Sequence, residues 1–399
     1  MMLTSLALIL LCGLLLGRLF GILHLPALVG MLVTGMILGP YALDCFDASI
    51  LRISPDLRQL ALVVILTRAG LSIDVRDLQK IGRPAVLLCF VPACCEIIGI
   101  VLLTPPLLGL SYIEAALLGS VVAAVSPAVV VPRMLRLMED GYGRGKAIPQ
   151  LIMAGASVDD IFVIVLFSSF VSLVGGGEFT PARLGEIPVS IITGAAAGAL
   201  FGLAAARLFK AIHMRDSVKV VIVLSVSLLL LAVEKDFGRF VPFSGLLAIM
   251  CMGGGILEGH PDLAARLSAK YSKLWIAAEV MLFVLVGAGV DVKYALSSGA
   301  AALVVLVAAL LFRMAGVYVC VLGTELSARE RLFCMIAYVP KATVQAAIGG
   351  IPLALGLPCG KTVLTVAVLS ILVTAPLGAL GIDFSFARLL VRDGDVSRA

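Results

Sequence analysis

The chain is a succession of apolar runs, each about 20 residues long and separated from the next by a charged or Pro/Gly-rich break. Thirteen such runs begin near residues 2, 25, 58, 84, 112, 147, 186, 217, 241, 271, 297, 332 and 362. Nothing else in the sequence constrains the fold as tightly, because inside a bilayer every backbone N–H and C=O must be satisfied within the protein. An apolar run of that length meets the requirement as an α-helix, so the fold class is an all-α polytopic membrane protein. A water-soluble globule is excluded by composition, since 61% of the 399 residues are hydrophobic and 14% are charged. The first run, MMLTSLALILLCGLLLGRLF, has no basic n-region and no clear small-residue cleavage site, and is expected to stay as a helix rather than serve as a signal peptide.

Basic residues test this list of runs. The connections taken alternately, from the one after the first run to the C-terminal tail, hold 20 Lys and Arg, the intervening connections hold 7, and Arg68, Arg313 and Lys341 lie inside runs. Cytoplasmic loops carry the excess, which places the N-terminus outside and the C-terminus in the cytoplasm; a bacterial inner or plasma membrane is a separate expectation that the loop charges do not decide. Such loops account for the net charge of +5 without a nucleic-acid partner. Nine cysteines and three histidines, His24, His213 and His260, show no metal-ligand spacing. Whether Cys45 and Cys359 pair is left open.

An internal repeat emerges when 70-GLSIDV-75 is set against 287-GAGVDV-292 at an offset of 217, with 25-LPALVG-30 against 241-VPFSGL-246 at nearly the same shift. Seven runs fill one period. An odd number makes the second copy cross the membrane in the opposite sense, so runs one to six mirror runs eight to thirteen, with run seven as connector. Inverted repeats of this kind characterise secondary transporters whose site lies where discontinuous helices meet. The fifth run carries 126-SPAVVVP-132 and its mate carries 340-PKATVQAA-347. Pro127, Pro132 and Pro340 each remove a backbone donor and crowd the preceding turn, so both helices are expected to break at membrane depth and to cross around a cavity.

Charges within the runs fall on this frame. Glu96 plus the offset is Arg313, so symmetry-mate positions hold opposite charges, and a buried structural pair is expected. Arg68 and Glu279 lie nearer helix ends, where snorkelling towards water is the expected account. Asp159 and Asp160 are adjacent within 155-GASVDDIFVIVLF-167. A charge at that depth costs at least ~2.5–3.5 kcal/mol, so the pair is expected to serve function.

The strings 125-VSPAVVVPRML-135, 155-GASVDDI-161 and 339-VPKATVQAAIG-349 resemble, in this order, those of the cation:proton antiporter superfamily and, within it, the two-aspartate NHA-type sodium/proton exchangers. The resemblance covers essentially the whole chain. It implies an NhaA-like fold in which a transport core moves against a panel that forms a homodimer interface. The panel would comprise residues 1–82 and 213–294, the core 83–175 and 295–399, and the linker helix 176–212. It implies that Asp159 and Asp160 bind the ion, that Lys341 is the lysine of the second broken helix, and that Glu96 and Arg313 are the core pair. Many bacterial two-aspartate relatives carry a lysine where this chain has Arg313. Arginine does not release a proton in a protein, which puts electrogenic exchange through that residue in doubt.

Neighbouring residues on a helix point about 100° apart, so the two aspartates cannot face one point. Asp160 is assigned to the cation, and Asp159 to Lys341 or to water at the cavity edge. Ser126, Ser157 and Thr343 are candidate neutral oxygen ligands, against the commoner use of such hydroxyls in helix back-bonding. If a proton and Na⁺ or Li⁺ compete for the same carboxylate oxygens, neither travels with the other, and exchange follows from alternating access. A K⁺/proton antiporter, a sodium-coupled solute symporter and a channel remain open alternatives. An intramembrane aspartyl protease does not fit, because its two aspartates must come from separate helices. No cofactor is expected. The expected partners are a monovalent cation, the proton, membrane lipid and a second copy of the chain. Gly13 and Gly17, and Gly194, Gly198 and Gly202, allow close helix packing.

Overall fold

The computed structural model describes residues 2–72, 82–175, 181–237 and 243–392. Among these the protein is helical, with no strand beyond an isolated antiparallel bridge between Tyr142 and Arg392. Residues 73–75 of the repeated string at 70–75 lie outside the described residues.

The helices are α1 (Met2–Ile22), α2 (Ala27–Leu38), α3 (Ala48–Arg52), α4 (Ser54–Gly70), α5 (Arg83–Leu88), α6 (Val91–Leu108), α7 (Tyr112–Val122), α8 (Pro127–Glu139) and α9 (Ile148–Gly175). They continue as α10 (Pro181–Ala211), α11 (Asp216–Phe237), α12 (Gly245–Gly259), α13 (Pro261–Ala288), α14 (Val292–Cys320), α15 (Ala328–Ala337), α16 (Thr343–Ile348), α17 (Ile351–Ala354) and α18 (Gly360–Leu389). Nine helical segments among the described residues are long and apolar enough to cross a membrane. The expected count of thirteen also drew on α2, α4, α12 and the α15–α17 stretch. Of these, α2, α4 and α12 have only 12, 17 and 15 residues, and α15 and α16 are separate pieces of a broken run. Large apolar side chains stand exposed along the long helices, among them Leu15, Leu200, Leu229 and Leu311. In a membrane protein these are the surface that lipid covers.

The chain folds as two compact units. One comprises Ile53–Asp74 and Ile164–Leu282, and glycines spaced by four bring two of its helices close together. Gly194, Gly198 and Gly202 lie on one face of α10 and rest on Ser244, Ala248 and Met252 of α12, where any Cβ would overlap a main-chain carbonyl. Gly70 at the end of α4 sits in the same way on Met250 and Gly253. The glycines of the tenth helix therefore serve packing within the chain. Arg68 and Glu279 belong to this unit, and both are partly buried.

The other unit comprises Met1–Arg52, Val75–Val163 and Phe283–Ala399. Gly17 packs on Ala27 and Met31, again inside the chain, and Gly287 rests on Leu32 and Met36 of α2. Positions 217 apart recur in matched environments. Gly99 of α6 lies against Phe312 of α14, while Gly316 of α14 lies against Pro92 and Cys95 of α6. Both broken runs also begin the same way: Ser111 and Glu114 form a capping box at α7, and Ser327 and Glu330 form another at α15, satisfying N–H groups that a helix start leaves orphaned. Cys45 and Cys359 are both free thiols, the first exposed and the second buried.

Candidate functional site

Two interruptions of helix make the site. The run at 112 leaves helix after Val122 and resumes at Pro127; the run at 332 leaves helix after Ala337 and resumes at Thr343. Proline accounts for both, as Pro127 opens α8 and Pro340 lies in the second gap, where neither can donate to a continuing ladder. The unwound stretches meet directly. Ser126 N donates to Pro340 O at 2.8 Å, and the hydroxyls of Ser126 and Thr343 are 3.5 Å apart.

Unwinding frees backbone groups that cannot go unpaired at this depth, and side chains from elsewhere in the chain satisfy them. Gln345 Nε2 donates to Val122 O at 3.0 Å and Ala124 O at 2.9 Å, and Lys341 Nζ donates to Val122 O at 2.8 Å. Arg313 donates to Ala123 O and, through Nε at 2.9 Å, to Tyr338 O, so one guanidinium ties both gaps together. Val125 N donates to Asp159 Oδ2 at 2.8 Å.

The same side chains form a buried ion network. Arg313 Nη1 lies 3.0 Å from Glu96 Oε2, and Nη2 lies 2.7 Å from Asp159 Oδ2. Lys341 Nζ is 2.7 Å from the Glu96 carboxylate. Glu96, Asp159, Arg313 and Lys341 are all fully buried. Adjoining Asp160 is partly buried. Asp159 Oδ1, Asp160 Oδ1 and Gln345 Oε1 are among the buried oxygens of this neighbourhood that accept no hydrogen bond. Buried carbonyl and carboxylate oxygens are normally satisfied. Among the described residues no three of His, Cys, Asp and Glu cluster as a multidentate metal site.

Comparison with known proteins bears on what such a network serves. A family model described as "Sodium/hydrogen exchanger, transmembrane" matches residues 6–387. The chain belongs to the sodium/hydrogen exchanger family. It is 33% identical to sodium/hydrogen exchanger 9B2 of Homo sapiens over 400 residues, covering 95% of this chain and 73% of that protein. It is 31% identical to sodium/hydrogen exchanger 9B1 of Homo sapiens over 389 residues, covering 94% and 74%. Its fold matches the sodium proton antiporter MjNhaP1 from Methanocaldococcus jannaschii with a TM-score of 0.84 at 21% identity, covering 97% of this chain and 98% of that one. The exchanger is therefore an integral multi-pass transporter of the cation/proton antiport class and not an enzyme. These relatives come from animals and an archaeon, and lend nothing to the bacterial membrane expected from the sequence.

Within the exchanger, Asp159, Lys341, Glu96, Arg313, Ser126 and Thr343 are gathered at the crossing. The side chain of Ser157 lies outside the described residues. One pairing is corrected: Asp159 binds Arg313, not Lys341, whose ammonium is held by Glu96. The Glu96–Arg313 pair forms as expected, but as part of a four-membered network that includes Asp159 and Lys341. Sequence reading missed Gln345, Tyr338 and Thr374, whose hydroxyl accepts from Lys341 N at 3.0 Å. Gln345 had a visible signal, an amide within the apolar stretch 344–348. Tyr338 enters through its carbonyl and carried none.

Proposed function

We propose that the protein exchanges a monovalent cation, Na⁺ or Li⁺, for a proton by competition at Asp160, with Asp159 and Gln345 supplying further oxygens. The charge count of the buried network carries this reading. With every group ionised, Glu96, Asp159 and Asp160 face Arg313 and Lys341, three negative charges against two positive. One monocation or one proton completes neutrality, whereas both together would leave an uncompensated buried charge, which is costly. Mutual exclusion is what converts a shared site into an exchanger. Asp159 is held by Arg313 and Val125 N, which leaves Asp160 and the unpartnered Asp159 Oδ1 to meet the ion. The hydroxyls of Ser126 and Thr343, at the crossing, are further neutral oxygens for the ion.

Alternating access would come from a transport core, residues 83–175 and 295–399, moving against a homodimeric panel, residues 1–82 and 213–294, about the linker 176–212. Thirteen spans in an inverted six-plus-six repeat fit the matched environments of Gly70 with Gly287, Gly99 with Gly316, and the two capping boxes. The repeat also fits the opposed gaps that cross at Ser126 and Pro340. An N-terminus outside and a cytoplasmic C-terminus follow the distribution of Lys and Arg. Since the cation-loaded and proton-loaded sites carry the same charge, and Arg313 keeps its proton, one cation exchanges for one proton and transport is electroneutral.

Proteoliposomes loaded with a pH-sensitive dye test this. Addition of Na⁺ or Li⁺ should dequench the dye with saturable kinetics, and K⁺ should do so weakly or not at all. Cation flux without proton movement would sink the exchanger reading for this chain. Currents on a solid-supported membrane that scale with transport would overturn the one-for-one stoichiometry.

A further inference from the structure

At one end of the unit that holds the site, an open cavity of about 440 Å³ lies between the close of α18, the residues after it and the start of α15. Arg329, Arg388 and Arg392 line it, and among the described residues no acidic side chain does. All three arginines are exposed. Neighbouring basic side chains are already engaged: Lys146 Nζ lies 2.8 Å from Glu330, and Arg331 Nη2 donates to Thr324 O at 3.1 Å. Arg392 lies over the ring of Tyr142 at 5.7 Å. Among the described residues, none of the three lining arginines is paired with a carboxylate.

We infer that this cavity binds the phosphate of an anionic phospholipid. Guanidinium groups match phosphate oxygens with paired N–H donors, and three of them around one concavity offer more charge than solvation alone requires. Their depth favours a lipid over a free ion. Arg388 is in the last turn of α18, a helix long and apolar enough to span the bilayer, so it stands where hydrocarbon gives way to headgroups. One turn earlier on the same face, Phe384 is 76% exposed, and three residues beyond Arg329, Leu332 is 41% exposed. Acyl chains would cover these apolar side chains while the arginines hold the headgroup; free phosphate has no use for them. Arg329 lies in the first turn of α15, which leads into the second helix break, so an occupied cavity steadies that end of the transport machinery.

The test uses the purified full chain. Thermal unfolding is followed in mixed micelles with phosphatidylglycerol, with phosphatidylcholine of the same acyl chains, or with inorganic phosphate, for wild type and for R329Q, R388Q, R392Q and the triple variant. Phosphatidylglycerol should raise Tm in the wild type, while phosphatidylcholine and inorganic phosphate leave it in place. At about 1 kcal/mol for each basic residue near a membrane surface, each substitution should weaken the lipid effect about fivefold and the triple variant about 100-fold. Tm without lipid serves as the folding control. Equal shifts with inorganic phosphate would reassign the cavity to a soluble anion. A lipid shift that survives the triple substitution, or no shift in the wild type, would overturn the proposal.

Discussion

Arg313→Ala removes one guanidinium and with it four contacts on separate parts of the protein. Asp159 loses its ion partner at 2.7 Å and Glu96 loses one at 3.0 Å, while Ala123 O and Tyr338 O lose their donors. Glu96 keeps Lys341, so Asp159 is the carboxylate left stranded. Breaking a buried pair from one side costs about 3–5 kcal/mol, and each orphaned carbonyl adds about 1–3 kcal/mol. The sum is on the order of 5–10 kcal/mol, against a typical domain stability of about 5–15 kcal/mol, so this variant should unfold far below the wild type or fail to accumulate. Arg313→Lys keeps the charge but loses the planar fork, and at least one carbonyl goes unpaired, for a cost of about 1–3 kcal/mol. The informative variant is E96L/R313M. Were Glu96 and Arg313 an isolated pair, as the sequence suggests, replacing both with apolar side chains would be nearly neutral. In the network, Asp159 remains without a cation and Lys341 without a carboxylate, so the double variant should recover little. Thermal unfolding of the purified proteins should rank wild type above R313K, with E96L/R313M and R313A well below. A double variant that melts with the wild type would refute the coupling of this pair to the ion site.

Asp160→Asn, which keeps size but removes the charge shared by cation and proton, should abolish Na⁺-driven proton flux with Tm little changed; normal flux would take Asp160 out of the site. Gly198→Leu places a side chain against the Ala248 carbonyl and should destabilise the α10–α12 contact by about 1–3 kcal/mol or more, read as a lower Tm, whereas an unchanged Tm would deny that the contact is close. Burial raises the pKa of Glu330, but hydrogen bonds from Lys146 and Ser327 outweigh it, so its folded pKa lies below the usual 4.5. Stability from this depressed carboxylate is present above the unfolded pKa and fades as pH falls through the folded one. Glu330→Gln should therefore lower Tm at pH 7, with the gap to wild type closing below about pH 4.5; a gap constant with pH would discount the ion pair.

The apolar runs determined by themselves that this chain is helical and membrane-bound, because run length and the lack of water in a bilayer leave one solution. The prolines at 127 and 340 likewise announced two broken helices, since a missing N–H is a local fact that no tertiary context restores. The offset of 217 brought Glu96 and Arg313 together on paper, and they do meet. What the linear string could not hold was which cation serves which carboxylate. Helix geometry assigned Asp159 to Lys341 or to water, yet Arg313 reaches Asp159 and Glu96 takes Lys341, a choice set by helix rotation and side-chain length across segments more than 150 residues apart. The freed carbonyls of Val122, Ala123 and Ala124 were equally invisible. They carry no side-chain identity, and their partners Gln345, Lys341 and Arg313 become partners only when the two gaps are laid across one another.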